Sequence, residues 1–235
     1  MKLGQEYHWN IVSIEEATPR VHHLYLKAQG ERPQFIAGQY LTVKLPGVGP
    51  AEGKAYSISS APHEALVRIS IKRIGKFSEA LLSLKVGDEL ITSAPYGFFY
   101  PEVDDIQPLV FIVGGIGITP CLSIIKDLLY RGDTRPLFLH YSNQTVVDIA
   151  FYNELEILAQ QYSNLNIFYY VTREAVVSDG FQAGRISIEG VLENIHSSQE
   201  SLCFICGAMD FTKTIWTELH TAGVASHQLY TEGFF

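Results

Sequence analysis

Cysteine is scarce: Cys121, Cys203 and Cys206 are the only three in 235 residues. Three cannot build the multi-bridge framework of a small secreted domain. They also fall short of the four thiolates that hold an iron–sulfur cluster. So few thiols fit a reducing compartment, and the cytoplasm is the expected location. Cys203-Phe204-Ile205-Cys206 matches C-x-x-C, but it lies in an apolar run that reads as a strand. Residues three apart on a strand take opposite faces, whereas a redox dithiol opens a helix. The 8 histidines include no i, i+4 pair and no H-E-x-x-H, so no metal site is expected. No apolar run approaches about 18 residues, which argues against a membrane span. Met1 to Trp9 lacks the apolar core of a signal peptide. Positive charge is in deficit: 17 Lys and Arg against 25 Asp and Glu give −8, which argues against a nucleic-acid partner.

What is present is ordinary for an enzyme, with 47% apolar and 18% charged residues and length for one or two domains. The charge is uneven. Residues 1–105 carry 11 Lys and Arg and 12 Asp and Glu, whereas residues 106–235 carry 6 and 13. The pattern changes at the same place. From Tyr7 to about Ile91 the apolar period is near two, with strands expected at 21–26, 40–45, 55–59, 66–74 and 89–93. Only Phe77 to Leu84 reads as a short helix. An acidic, proline-flanked stretch, Pro101 to Pro108, reads as a linker. Beyond it, strands at 109–113, 137–141, 166–172, 202–206 and 228–231 are separated by helices at 120–131, 151–162, about 187–195 and 209–222. A long loop follows the third of these strands. Alternation of this kind means a parallel sheet covered by helices. The expected fold is an antiparallel β-barrel over residues 1–102 followed by an α/β parallel-sheet domain over 103–235.

The most informative stretch is Leu109-Val110-Phe111-Ile112-Val113-Gly114-Gly115-Ile116-Gly117-Ile118-Thr119-Pro120. A buried strand runs into three glycines and then into a helix, with Pro120 suited to its first position. Strand, glycine turn and helix N-terminus make a site for a dinucleotide pyrophosphate. The usual fingerprint needs a third glycine where Pro120 stands, and Ser142-Asn143 ends the next strand with no carboxylate for a ribose. An ordinary dehydrogenase is therefore demoted. In the first half, Lys54-Ala55-Tyr56-Ser57 offers a cation, a ring that could stack on an aromatic cofactor and a hydroxyl; taken alone, a core tyrosine in a strand explains Tyr56 better. Gly75-Lys76-Phe77-Ser78 opens the short helix beside Lys72 and Arg73. It reads either as a second phosphate site or as a capped helix with solvated charges.

The order of these motifs, with Pro95-x-Gly97-x-Phe99 and Cys206-Gly207-x-Met209 added, resembles the ferredoxin–NADP⁺ reductase superfamily over nearly the whole chain. That resemblance implies FAD on the barrel and NAD(P)H on the second domain. It places Tyr56 against the isoalloxazine, Ser57 near flavin N5, and Lys54 where the family has Arg. A lysine there keeps the charge but loses the guanidinium fork. It gives Ile71, Lys72, Arg73 and Gly75 to Ser78 (Gly75, Lys76, Phe77, Ser78) the adenine side and the pyrophosphate of FAD, with Ala55 within the Tyr-Ser motif. Gly114, Gly115, Gly117, Thr119 and Pro120 would receive NAD(P)H. Cys206, with Gly207 and Met209 after it, would lie beside the nicotinamide. Thr172 and Arg173, assisted by Ser142 and Arg185, suggest a 2′-phosphate and hence NADPH, with NADH the alternative. Glu232 and Phe234 would be a carboxylate and a ring over the flavin, and Ser57, Cys206 and Glu232 the catalytic group. The implied activity is an FAD-dependent NAD(P)H oxidoreductase that passes electrons to a separate carrier, ferredoxin or flavodoxin. The alternatives are the reductase component of an oxygenase, a flavin or ferric-siderophore reductase, and a non-catalytic electron-transfer subunit.

Overall fold

The structure is a computed structural model that describes residues 5–175, 178–196 and 201–234. Its first half is a six-stranded antiparallel sheet built from β1 (Glu6–Thr18), β2 (Val21–Ala28), β3 (Tyr40–Lys44), β4 (Lys54–Ser57), β5 (Val67–Lys72) and β6 (Glu89–Ser93), in the order β4-β3-β6-β1-β2-β5. The sheet curls until its edge strands meet at one bridge, Ile58 with Ile69, and one bond from the Ser59 N–H to the Arg68 carbonyl at 2.8 Å. The barrel therefore closes by a touch rather than a full ladder. Alternation drives the curl: Leu41 and Val43 of β3 face inward and join Trp9, Leu24, Ile69 and Leu81 in a core sealed from water. Trp9 satisfies its indole N–H on the Thr92 hydroxyl at 2.8 Å, so the ring can be buried without an orphaned donor. The helix α1 (Lys76–Leu82) plugs this core with Phe77 and Leu81.

The second half is a parallel sheet of β7 (Leu109–Gly114), β8 (Leu137–Asn143), β9 (Leu165–Val171), β10 (Phe181–Ala183), β11 (Leu202–Ala208) and β12 (Leu229–Phe234), in the order β10-β9-β8-β7-β11-β12. Four helices cover it: α2 (Ile118–Tyr130), α3 (Tyr152–Gln161), α4 (Ile188–His196) and α5 (Met209–Thr221). Phe111, Val113 and Cys206 face α2 and α3, while Val110, Ile112 and Cys203 face α4 and α5. The two cysteines of the C-x-x-C thus lie on opposite faces, as strand geometry requires, and all three cysteines are free. Two details depart from the periodicity. The third strand of this sheet is followed by a short extra strand, β10, that pairs with Tyr169 to Val171 inside what reads as loop. Helix α2 starts at Ile118, so Pro120 is its third residue and not its first. Any of the first few N–H groups of a helix lacks a partner, so proline is tolerated there too.

The halves are joined by a buried polar junction. Arg68 of β5 makes a two-pronged bond to Glu154 of α3, at 2.8 and 3.1 Å. Lys126 of α2 reaches the same carboxylate at 2.6 Å and Glu64 of the barrel at 2.8 Å. The Arg68 guanidinium also lies 4.7 Å from the Phe151 ring, on which His23 stacks at 4.3 Å. Phe151 holds a left-handed φ of 64°, a costly conformation for a non-glycine residue that persists because packing on both sides fixes it. Burial and the neighbouring Arg68 push the His23 imidazole down to about 4, so it is neutral at the junction. Removing the shared carboxylate should uncouple the halves. Glu154→Ala is expected to lower unfolding stability by about 2 kcal/mol, below the usual loss for a fully buried pair because Glu154 is partly exposed. Urea denaturation of the variant and of Glu154→Gln checks it.

Candidate active site

In the parallel sheet β7 comes first in the chain, β8 to β10 extend to one side, and β11 and β12 to the other. The order reverses between β7 and β11, and a crevice opens at the carboxyl ends of strands at such a switch point. The glycine turn sits there. Gly115 takes φ +55°, and a side chain on Gly117 would strike the carbonyl of Cys206 and the N–H of Gly207. These glycines let α2 start hard against β11, and they bring the backbone of the turn Gly114, Gly115 and Ile116 to the crevice. Gly207 is held as closely by the ring of Phe211, 2.8 Å from where its Cβ would stand. Thr119 and Pro120 are buried in that first turn, with the Thr119 hydroxyl donating to the Ile116 carbonyl at 2.9 Å.

The crevice is a cleft of about 340 Å³ between the two halves. Its sheet side carries Gly114, Gly115, Ser142, Asp148, Thr172 and Phe234, and its barrel side Thr18, Arg20, Lys72 and Ile74. The Lys72 ammonium stands 3.8 Å from the position a Cβ would take on Gly115. A barrel cation therefore faces the glycine turn directly. Arg173 and Arg185 are exposed and do not line the cleft; the Arg173 N–H closes the turn instead, on the Gln144 carbonyl at 2.8 Å. The Thr172 hydroxyl caps the neighbouring chain through the Asn143 carbonyl at 3.3 Å. A larger depression of about 500 Å³ at the other end of the barrel, near His8 and Arg32, holds none of the motif residues.

The barrel wall carries the remaining group. Tyr56 is half-buried, its ring 6.3 Å from that of Phe77, and burial pushes its phenol up to about 12. Lys54 is exposed, with its ammonium 5.7 Å from the Phe77 ring. Ala55, Arg73, Gly75 and Lys76 are exposed and Ile71 is buried in the barrel core. The Ser78 hydroxyl is spent locally: it accepts from the N–H groups of Ile74 and Gly75 and donates to the Gly75 carbonyl. This fixes the turn into α1 without leaving that oxygen for a ligand. Ser57 is different. Its Oγ is buried with no partner among the described residues, and so is Oε2 of Glu232. Ser57 pairs across the sheet with Tyr40, whose phenol is raised above the ordinary value by burial first and then by the nearby Glu232. Burial pushes Glu232 itself up to about 7. Cys206 and Cys121, both enclosed, are held well above the ordinary thiol range by burial and share the same seam with Glu232. Cys206 is therefore a neutral thiol and not a thiolate nucleophile. Met209 is half exposed and lies against Gly233. Phe234 forms part of the cleft wall, and Phe235 falls outside the described residues.

Sequence reasoning missed Arg20, Tyr40 and Asp148. Arg20 and Tyr40 belong to motif-free barrel segments, and only the topology brings them to the seam. An unpartnered buried hydroxyl beside a half-buried ring is what a bound flavin would complete, so the residues present fit FAD.

With that geometry in hand, comparison with known proteins fixes the class. The chain belongs to the ferredoxin–NADP⁺ reductase superfamily of FAD-dependent NAD(P)H oxidoreductases: residues 10–100 match the oxidoreductase FAD-binding domain and residues 111–216 the oxidoreductase NAD-binding domain. Among relatives, a flavohemoprotein of Oceanobacillus iheyensis is 27% identical over 96% of this chain and 58% of its own length. The phenol hydroxylase P5 protein of Acinetobacter pittii is 33% identical over 69% of this chain and 46% of its own length. The chain thus spans about half the length of these curated relatives. The flavohem-like FAD/NAD-binding domain of nitric oxide dioxygenase from Vibrio cholerae superposes with a TM-score of 0.87 at 22% identity, covering 97% of this chain and 98% of that one. Among the described residues no helix is long and apolar enough to cross a membrane, and no cluster of three or more metal-ligating side chains occurs.

The raised Glu232 has a consequence for stability. Its folded value of about 7 lies above the ordinary 4.5, so the folded state holds the proton longer than the unfolded chain does. Stability should then fall as pH rises from about 4.5 to about 7 and level off above that. Glu232→Gln should remove this decline and be more stable than the parent above neutrality. Urea midpoints of flavin-free protein at about pH 5 and about pH 8 measure it; a parent and variant with parallel profiles would refute the protonated carboxyl.

Proposed function

We propose that this chain is the electron-supplying reductase of an oxygenase system, oxidising NADH and delivering electrons through FAD to a separate protein component. The observation that carries the reading is the cleft: the glycine turn faces Lys72 across the domain seam, and the orphaned oxygens of Ser57 and Glu232 lie at the same seam. FAD, when bound, accepts a hydride and can release its electrons singly. The chain's own residues do the rest. Tyr56 supplies a flat wall for the flavin. The Ser57 hydroxyl is placed to hydrogen-bond its central edge. The Gly114–Gly117 turn and Lys72 receive the pyrophosphate of the nicotinamide dinucleotide. Phe234, on the cleft wall, has to swing aside for the nicotinamide ring, which makes it a gate. Cys206, a buried neutral thiol, and Glu232, whose carboxyl burial pushes up to about 7, shape the pocket. We place the boundary between the FAD and nicotinamide domains at residues 102–103 and the protein in the cytoplasm, in keeping with its three free thiols.

The partner reading draws on the relatives: phenol hydroxylase P5 protein and a P450 reductase from Amycolatopsis are named for oxygenase systems. A second reading, an acidic ferredoxin or flavodoxin as acceptor, is favoured by the exposed basic strip Arg73, Lys76 and Lys54 on the barrel. As to the nicotinamide, NADPH would need a cation for its 2′-phosphate. Arg173 and Arg185 stand outside the cleft, and the charged group that lines it on the sheet side is the Asp148 carboxylate. A carboxylate there repels a second phosphate, which supports NADH.

Two outcomes test this. The holoenzyme should use NADH with a kcat/KM at least about tenfold above that for NADPH, and Arg173→Ala should leave that ratio within about twofold. A ratio that collapses in Arg173→Ala would return the 2′-phosphate to that arginine. Ser57→Ala should retain the fold but lower the rate of flavin reduction in a stopped-flow experiment by about tenfold or more, with the KM for NADH changed far less. An unchanged reduction rate would leave Ser57 no part in the reaction.

A further inference from the structure

The turn between β1 and β2 contains only two residues, Pro19 and Arg20. It is fixed from three directions. The Thr18 hydroxyl accepts from the N–H groups of Arg20 and Val21, at 3.3 and 3.1 Å, and the Arg20 carbonyl accepts from the Arg73 N–H at 2.8 Å. Val21 pairs in register with Lys72. Arg20 is thus set next to the lysine that faces the glycine turn, and it lines the same cleft. Its side chain is exposed and takes part in no ion pair among the described residues. The other cation lining the cleft is Lys72, also from the barrel; the sheet side contributes N–H groups and the Asp148 carboxylate. A pyrophosphate carries two negative charges, and Lys72 beside the glycine turn balances one of them, which leaves the other facing the barrel.

We propose that Arg20 is a further nucleotide-binding residue, pairing from the barrel turn with the pyrophosphate of the nicotinamide dinucleotide seated on Gly114–Gly117. This rests on the cleft being the nicotinamide site. The guanidinium fork matches two phosphate oxygens, and its rigid backbone anchor lowers the entropy lost on pairing. The cost of leaving Arg20 uncompensated in the free protein is small because water solvates it. Nucleotide binding then ties barrel to sheet by two barrel cations, and the selectivity between NADH and NADPH is set elsewhere.

The test is calorimetric titration of the FAD-loaded protein with ADP-ribose, which carries the pyrophosphate without nicotinamide, and with 2′-AMP, which carries a 2′-phosphate alone. Arg20→Ala should weaken ADP-ribose by about tenfold and 2′-AMP by less than about twofold. Arg20→Lys should fall between parent and alanine, since it keeps charge but loses the fork, and Arg20→Glu should lose about a hundredfold. Lys27→Ala, at the far end of β2 about 20 Å away along the strand, should change neither ligand and controls for the general field of the barrel. Equal ADP-ribose affinity in the parent and both Arg20→Ala and Arg20→Glu overturns the proposal, as does an equal loss for 2′-AMP, which would assign Arg20 to the 2′-phosphate. Parent protein that binds no ADP-ribose in competition with NADH overturns the nicotinamide reading and this proposal together. Should Arg20→Ala not fold, the Arg20→Lys comparison decides alone.

Discussion

Hydride transfer needs two reacting atoms held about 3–3.5 Å apart with their rings parallel, and an error of 1 Å is costly. In this protein the two rings belong to cofactors carried by different halves of the chain. Everything therefore depends on how rigidly the halves are joined. The Arg68–Glu154–Lys126–Glu64 junction supplies that rigidity. Its members come from β5, α3, α2 and the barrel loop before β5, so four separate segments share one charge network. A network of this kind contributes little net stability because desolvation offsets attraction. Its value is directional: a guanidinium with two prongs on one carboxylate permits one orientation. Phe151, forced into a left-handed conformation between His23 and Arg68, shows that the surrounding packing is strong enough to hold strain.

The same logic explains the glycines. Gly117 must be small because α2 begins in contact with the β11 backbone at Cys206 and Gly207. That contact brings the helix start, the end of β7 and the end of β11 to one point. Register then carries the effect outward, since Cys206 pairs with Glu232 and Ala208 with Phe234. A side chain at 117 would push α2 away from β11 and open the contact between them. The chemistry at the seam is thus a by-product of close backbone packing at the switch point.

Much of this was legible in the sequence because it is local. Alternating and continuous apolar runs marked the barrel and the parallel sheet, and the glycine stretch marked the turn. Ser57, Glu232 and Phe234 were reached through motif order, and the first two prove to hold buried oxygens without partners. What escaped detection was non-local. No pattern in residues 19 and 20 announces that a hairpin turn will border the cleft. Tyr40 is an ordinary strand tyrosine until β3 is paired with β4 and faced by β12. The NADPH expectation rests on Arg173 by adjacency to a strand end, and which side of a turn an arginine occupies is a non-local matter that adjacency along the chain does not decide. The short strand β10 lacks both length and apolar run, and it forms because an open edge of β9 accepts it.

An acidic protein that binds two anionic dinucleotides faces an electrostatic conflict. With a net charge of −8, long-range electrostatics would repel both ligands. Screening limits the range of that repulsion to about 8 Å at physiological ionic strength, so the cleft responds mainly to its own lining. There, Lys72 and Arg20 on the barrel side stand against the single Asp148 carboxylate on the sheet side, between apolar side chains that weaken screening. The acidic excess lies mostly in residues 106–235, and the cleft cations come from residues before 106. The division of charge along the chain is therefore a division of labour across the seam: the barrel offers the cations, and the sheet offers the glycine turn and one carboxylate. On the proposed reading a nucleotide satisfies both only when the two sides are in register, which would couple domain geometry to binding.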